Sequence, residues 1–133
     1  MTLVFLLLTV ACKAVHPVDF LPGDYSCDHC RMHIVDMRFK TEAISPKGKI
    51  FHFDSIECLL DWKKKHPEKI ASAWVTDFYH PERWIDFTKA RFLKSKNLPS
   101  PMGGFLSAYG SEADLQKAKQ EFGGEETIYS IQK

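Results

Sequence analysis

The sequence has almost no charge imbalance. Eighteen basic residues meet 17 acidic ones, for a formal charge of +1 over 133 residues. Proteins that hold nucleic acid by neutralising phosphates usually carry a basic excess, so no nucleic-acid partner is expected. An apolar run long enough to span a bilayer as a helix is also lacking; the N-terminal one, Leu3 to Val10, reads LVFLLLTV and is too short. Four cysteines are too few for a disulfide-built scaffold. No Ser/His/Asp order, phosphate-cradling glycine loop or paired acid site stands out, so no catalytic apparatus is read and the chain is not expected to be an enzyme. What is present is ordinary for a globular chain: 44% hydrophobic and 26% charged residues, which excludes a disordered, collagenous or multi-pass membrane protein. Ten Phe, four Tyr and three Trp supply one compact core, and the length fits about one domain.

The N-terminal apolar stretch is followed by Ala11 and Cys12. A short apolar segment, then a small residue and Cys, has the form of a lipoprotein signal, in which the leader is removed and the Cys thiol carries lipid. Residues 1–11 are therefore read as signal peptide, Cys12 as the lipid attachment site and 12–23 as a tether. The match lacks a charged start, and Thr9 stands where such signals usually show a Leu-like residue. The competing reading is an uncleaved anchor or a buried strand; the absence of an apolar continuation after Cys12 favours lipid. Two or more acyl chains hold a domain at a membrane, which one does only weakly.

The body, 24–133, reads as an α+β fold. Residues 39–44 and 50–53 alternate as strands around the turn residues Pro46, Lys47 and Gly48. Asp54 or Ser55 can cap a helix carrying Ile56, Leu59, Leu60 and Trp62, ended by Lys63, Lys64, Lys65 and Pro67. Residues 73–75 give a third strand. The second half runs the same course: an alternating segment from Trp84 to Leu93, a strand at 105–109, a helix at 112–122 opened by Ser111 and stopped by Gly123 and Gly124, and a last strand at 127–131. The expectation is a pseudo-duplicated ββαβ unit forming one small compact domain, with halves at about 24–80 and 81–133.

Chemistry concentrates in Cys27-Asp28-His29-Cys30-Arg31-Met32. Three sulfur donors lie within six residues. Cysteines at i and i+3 can point to one centre across a tight turn, and Met32 falls on the Cys30 side of an extended chain. Thiolate with thioether favours Cu(I) over harder ions, whereas zinc calls for a closed four-ligand set, and neither a second C-x-x-C nor an H-x₃-H pair is present. Three alternatives stand beside the metal. One is a structural disulfide. Another is a thioredoxin-like pair, which normally opens a helix. The third is Met as core filler. Met102 lies between Pro101 and Gly103 in a loop, a poor place for core packing and a good one for a side chain held at a fixed exposed point; an ordinary surface Met is the alternative, and this stretch alone does not decide.

With C-D-H-C-R-M at 27–32, W-I-D-F-T-K-A-R-F-L-K-S at 84–95, P-M-G-G at 101–104 and F-G-G at 122–124, the chain resembles the NosL family over roughly residues 24–131. These are lipid-anchored copper chaperones of nitrous oxide reductase maturation. The resemblance implies a duplicated ββαβ architecture, a periplasm-facing or surface lipoprotein in the cell envelope, Cu(I) as cargo, and transfer to the reductase assembly machinery. It carries the metal-binding role onto Cys30, Met32 and Met102, with Cys27 next, in agreement with the reading from the residues. Family members commonly have Gly between the second Cys and the Met, where this chain has Arg31.

His29 and His33 flank the motif as reserve ligands. Cys58 reads as a small core residue of the helix. The expected function is a membrane-anchored Cu(I) metallochaperone. Its rival is a C-x-x-C thiol enzyme, a disulfide oxidoreductase or a relative of organomercurial lyases.

Overall fold

The computed structural model describes residues 15–131. Cys12, its signal peptide and the start of the tether lie outside them. Among the described residues the first half builds strands β1 (Thr41–Ile44) and β2 (Ile50–Phe53), helix α1 (Ile56–Lys65) and strands β3 (Ser72–Thr76) and β4 (Trp84–Asp86). The second half builds β5 (Arg91–Lys94), β6 (Leu106–Tyr109), α2 (Glu112–Phe122) and β7 (Glu125–Thr127). None of these helices is long and apolar enough to cross a membrane.

The two antiparallel sheets have orders β2-β1-β3-β4 and β6-β5-β7. In each, the first strand of the unit is central, the second lies to one side and the strand after the helix to the other. The two units thus share one topology, as the element order in the sequence suggested. The β1–β2 hairpin closes through Ser45–Gly48, where Gly48 donates to Ser45 O at 2.9 Å and takes φ +83°. That is a type I turn followed by a left-handed residue, which glycine adopts without cost.

Alternation sets the layers. Ala43, Phe51, Phe53, Ala73 and Val75 face α1 and its Leu59 and Trp62 in the main core. Phe92, Leu106 and Ala108 of the second sheet join the same core, while Leu93 and Tyr109 turn to the opposite side and pack with Leu115 and Ala118 of α2. The other face of the first sheet carries Glu42, His52 and Trp74. It is covered by the stretch 16–25, which runs from the expected tether into the expected domain: Val18 N donates to buried Glu42 Oε2 at 2.9 Å, Trp84 Nε1 donates to Asp19 at 2.8 Å, and Tyr25 stacks on His52 at 3.9 Å.

Two expected strands are corrected. The segment Trp84–Leu93 is not one strand but β4 and β5, in different sheets. Asp86 accepts from Thr88 N and Thr88 Oγ1, a local turn that redirects the chain between them. The last strand lies at Glu125–Thr127 rather than 127–131. Gly123 and Gly124 have φ of +66° and +99°, and a Cβ on Gly124 would meet Lys94 O at 2.4 Å. The glycines therefore turn the chain directly onto β5, and Ile131 beyond them is buried in the main core.

Candidate metal centre

The Cys27–Met32 segment is a closed turn. Cys27 N donates to Met32 O at 2.8 Å, Arg31 N to Cys27 O at 2.9 Å, and Cys30 N to Cys27 Sγ at 3.5 Å. Arg31 closes it with φ +69°, a left-handed conformation that costs an L residue roughly 1–2 kcal/mol and glycine nothing. The structure thus places Arg31 where a glycine would be unstrained. Asp28 fastens the turn to β2: its N–H donates to His52 O and its Oδ2 accepts from His52 N, both at 2.8 Å.

This turn lies over the N-terminus of α1. Ser55 is the N-cap, its hydroxyl accepting from Cys58 N at 3.3 Å. Asp54 is therefore not the cap. Its Oδ1 accepts from Ser55 Oγ at 3.2 Å, and its Oδ2 accepts from the Cys30 thiol at 3.3 Å. One donor atom each from Cys27, Cys30, Asp54 and Cys58 lies within 4.8 Å of all the others. Cys27, Asp54 and Cys58 are buried and Cys30 is partly open. The sequence brings forward Cys27 and Cys30 only. Cys58 does lie in the main core, as expected, yet it also completes the cluster. The signal for it is Cys58 in the first turn of a helix that Ser55 caps, which sets its thiol close to the residues just before the cap.

The cysteines are not equivalent. The Cys58 hydrogen bond draws Cys27 down to about 6 against opposing burial, helped by the N–H groups of Cys30, Asp54 and His29. Burial pushes Cys30 up to about 11, with the neighbouring Cys27 and Asp54 adding to the rise. Cys58 is held protonated by its bond to Cys27 and by burial. The resting cluster is one thiolate and two thiols, at a helix N-terminus that favours the anion.

Of the remaining sequence candidates, the two methionines are exposed and the two histidines stand apart from the donor group. Met32 is 60% exposed and Met102 43% exposed. Met102 lies in the segment between Leu98 and Phe105, which is bonded to Glu57, the residue before Cys58: Gly104 N donates to Glu57 Oε1 at 3.0 Å, and Ser100 Oγ bonds the same oxygen. The group of donors contains neither His29 nor His33; His33 pairs with Ser26 across the base of the turn.

Three sulfur donors and one carboxylate with a partly open side can hold a metal ion. A model of the NosL family matches residues 17–132. Among solved structures, the chain is similar to that of the copper chaperone NosL from Shewanella denitrificans, with a TM-score of 0.72 and 17% identity, over 85% of this chain and 92% of that one. At that identity the likeness is one of fold. No curated protein matches significantly.

Proposed function

The chain belongs to the NosL family, and on that premise we propose that it is a Cu(I) metallochaperone, a binding and transfer protein rather than an enzyme. The observation that carries this reading is the gathering of Cys27, Cys30, Cys58 and Asp54 within 4.8 Å at the first turn of α1. Thiolates with thioethers prefer Cu(I) to Zn(II), Mg(II) or Ca(II). Cys27 offers a thiolate at neutral pH. Cys30 gives up its proton as the Cu–S bond forms, with Asp54 Oδ2 at 3.3 Å as the nearest acceptor and solvent as the sink. Met32 and Met102 are the outer, weakly held thioether ligands. A thioether carries no charge and is displaced readily, so an incoming sulfur of a partner replaces it first. The ion then leaves on the partner's sulfur as Cys30 takes back a proton.

We extend this reading to the anchor, which the lipoprotein-like N-terminus supports, and to the acceptor, which the family resemblance implies. Lipid on Cys12 holds the domain at the outer side of a bacterial membrane, facing the periplasm or the cell surface. The acceptor is the copper-receiving machinery of nitrous oxide reductase assembly. The test is anaerobic Cu(I) titration of the full chain, with X-ray absorption on the loaded protein. About one Cu(I) per chain in a sulfur-dominated shell is expected, lost on Cys30→Ser and Cys27→Ser. A nitrogen shell, or full affinity in both variants, refutes the reading.

A further inference from the structure

The loop carrying Met102 comes from the second ββαβ unit, whereas the cysteine cluster belongs to the first. One side chain joins them. Glu57 Oε1 takes hydrogen bonds from Ser100 Oγ and Gly104 N. The loop is also folded on itself, with Gly103 N donating to Ser100 O at 3.0 Å and Phe105 N donating to Ser100 Oγ at 2.9 Å. Ser100 is only 6% exposed, and the second oxygen of Glu57, Oε2, is buried with no hydrogen-bond partner. Contact is close along the whole carboxylate stem: a Cβ on Gly104 would fall 2.7–2.9 Å from Cδ, Cγ and Cβ of Glu57. Phe105, beside it, is held at φ +61°, a strained conformation for any residue but glycine. A half-buried carboxylate, one of whose oxygens is buried, and a strained backbone are thus both committed to holding one short loop, at whose tip Met102 is exposed between Pro101 and Gly103.

We infer that Glu57 is the positioning residue for copper capture, fixing Met102 at the mouth of the cysteine cluster by bonding Ser100 and Gly104 across the two units. Glu57 itself gives the ion no ligand; it decides where a thioether from the other unit stands. The inference rests on the copper reading above, but its structural half can be read without copper.

The test uses the full chain with labelled methionine methyl groups, the Met102 signal being assigned by its loss in Met102→Leu. In the apo protein, Glu57→Ala and Gly104→Ala should move the Met102 methyl to the position and narrow line of an unrestrained methionine. Glu57→Gln, which keeps one acceptor oxygen for both donors, should leave it in place. In anaerobic competition with a Cu(I) chelator, Glu57→Ala, Gly104→Ala and Met102→Ala should each weaken binding on the order of tenfold, the scale of a lost supporting contact at a metal site. The Glu57→Ala/Met102→Ala pair should be no weaker than Met102→Ala alone. An unmoved methyl in both loop variants, additive losses in the pair, or a Met102→Ala protein of full affinity overturns the inference. Full copper affinity in Cys30→Ser and Cys27→Ser instead overturns the copper reading and the capture role with it, while the methyl shift still reports whether Glu57 holds the loop.

Discussion

Removing one buried thiol should change the acidity of another. Cys58 makes the largest contribution to the low value of Cys27, drawing it to about 6 from an ordinary 9.0. A hydrogen bond to a charged group contributes about 1.5–3 kcal/mol, and one pKa unit corresponds to about 1.4 kcal/mol. Cys58→Ala should therefore raise Cys27 by roughly one to two units, to about 7–8. The three backbone N–H donors remain in the variant, so a full return to 9.0 is not expected. The assay is ultraviolet thiolate absorbance of the reduced, metal-free chain against pH, with alkylation and peptide mapping to assign each step to a cysteine. Stability should follow the same group. Because folding lowers the Cys27 value, ionisation of this thiol stabilises the fold fully above about pH 9, and that contribution is lost as pH falls to about 6. Cys30 works in the opposite sense: raised to about 11, its contribution is intact below about pH 9 and is lost as pH rises towards 11. The stability difference between the parent chain and Cys27→Ser should accordingly shrink from pH 9 to pH 6. A wild-type chain with no thiolate forming below pH 8, or a Cys58→Ala chain still titrating at about 6, would refute the assigned hydrogen bond.

Arg31→Gly should raise stability by up to about 1 kcal/mol in denaturant titration, because relief of a left-handed Arg exceeds the entropy that glycine adds to the unfolded chain; a loss of stability would show that the Arg31 side chain contributes more than its strain. Glu42→Ala should cost about 1–3 kcal/mol and speed hydrogen exchange at Val18 N, whose acceptor it removes, while exchange at Ala43 in the centre of the sheet changes far less; equal acceleration at both would mean that the sheet, rather than the covering segment, had loosened.

Much of the architecture was legible because it is local. The expected helix at 112–122 coincides with α2, since Ser111 caps it and Gly123 ends it within the segment itself. The strand at 50–53 coincides with β2 for the same reason: alternation and a glycine turn are near neighbours. Trp84–Leu93 misled because alternation reports a pleated chain and says nothing of which sheet receives it; the Asp86 turn interrupts the run without Gly or Pro. The last strand shifted because Gly124 was read as a helix stop alone, whereas its closeness to Lys94 O also starts the next pairing.

By itself, the sequence determined the two helices, the repeated ββαβ plan without the extra strand β4, and the sulfur character of the Cys27–Met32 turn, since each depends on residues a few positions apart. Only the tertiary structure decided that Asp54 and Cys58 stand with Cys27 and Cys30, that Cys27 is the acidic thiol, and that Glu57 binds the Met102 loop. Those facts join positions 24 to 47 residues apart. Residue types carry no record of such distances; packing β2, α1 and the second unit around one core creates them.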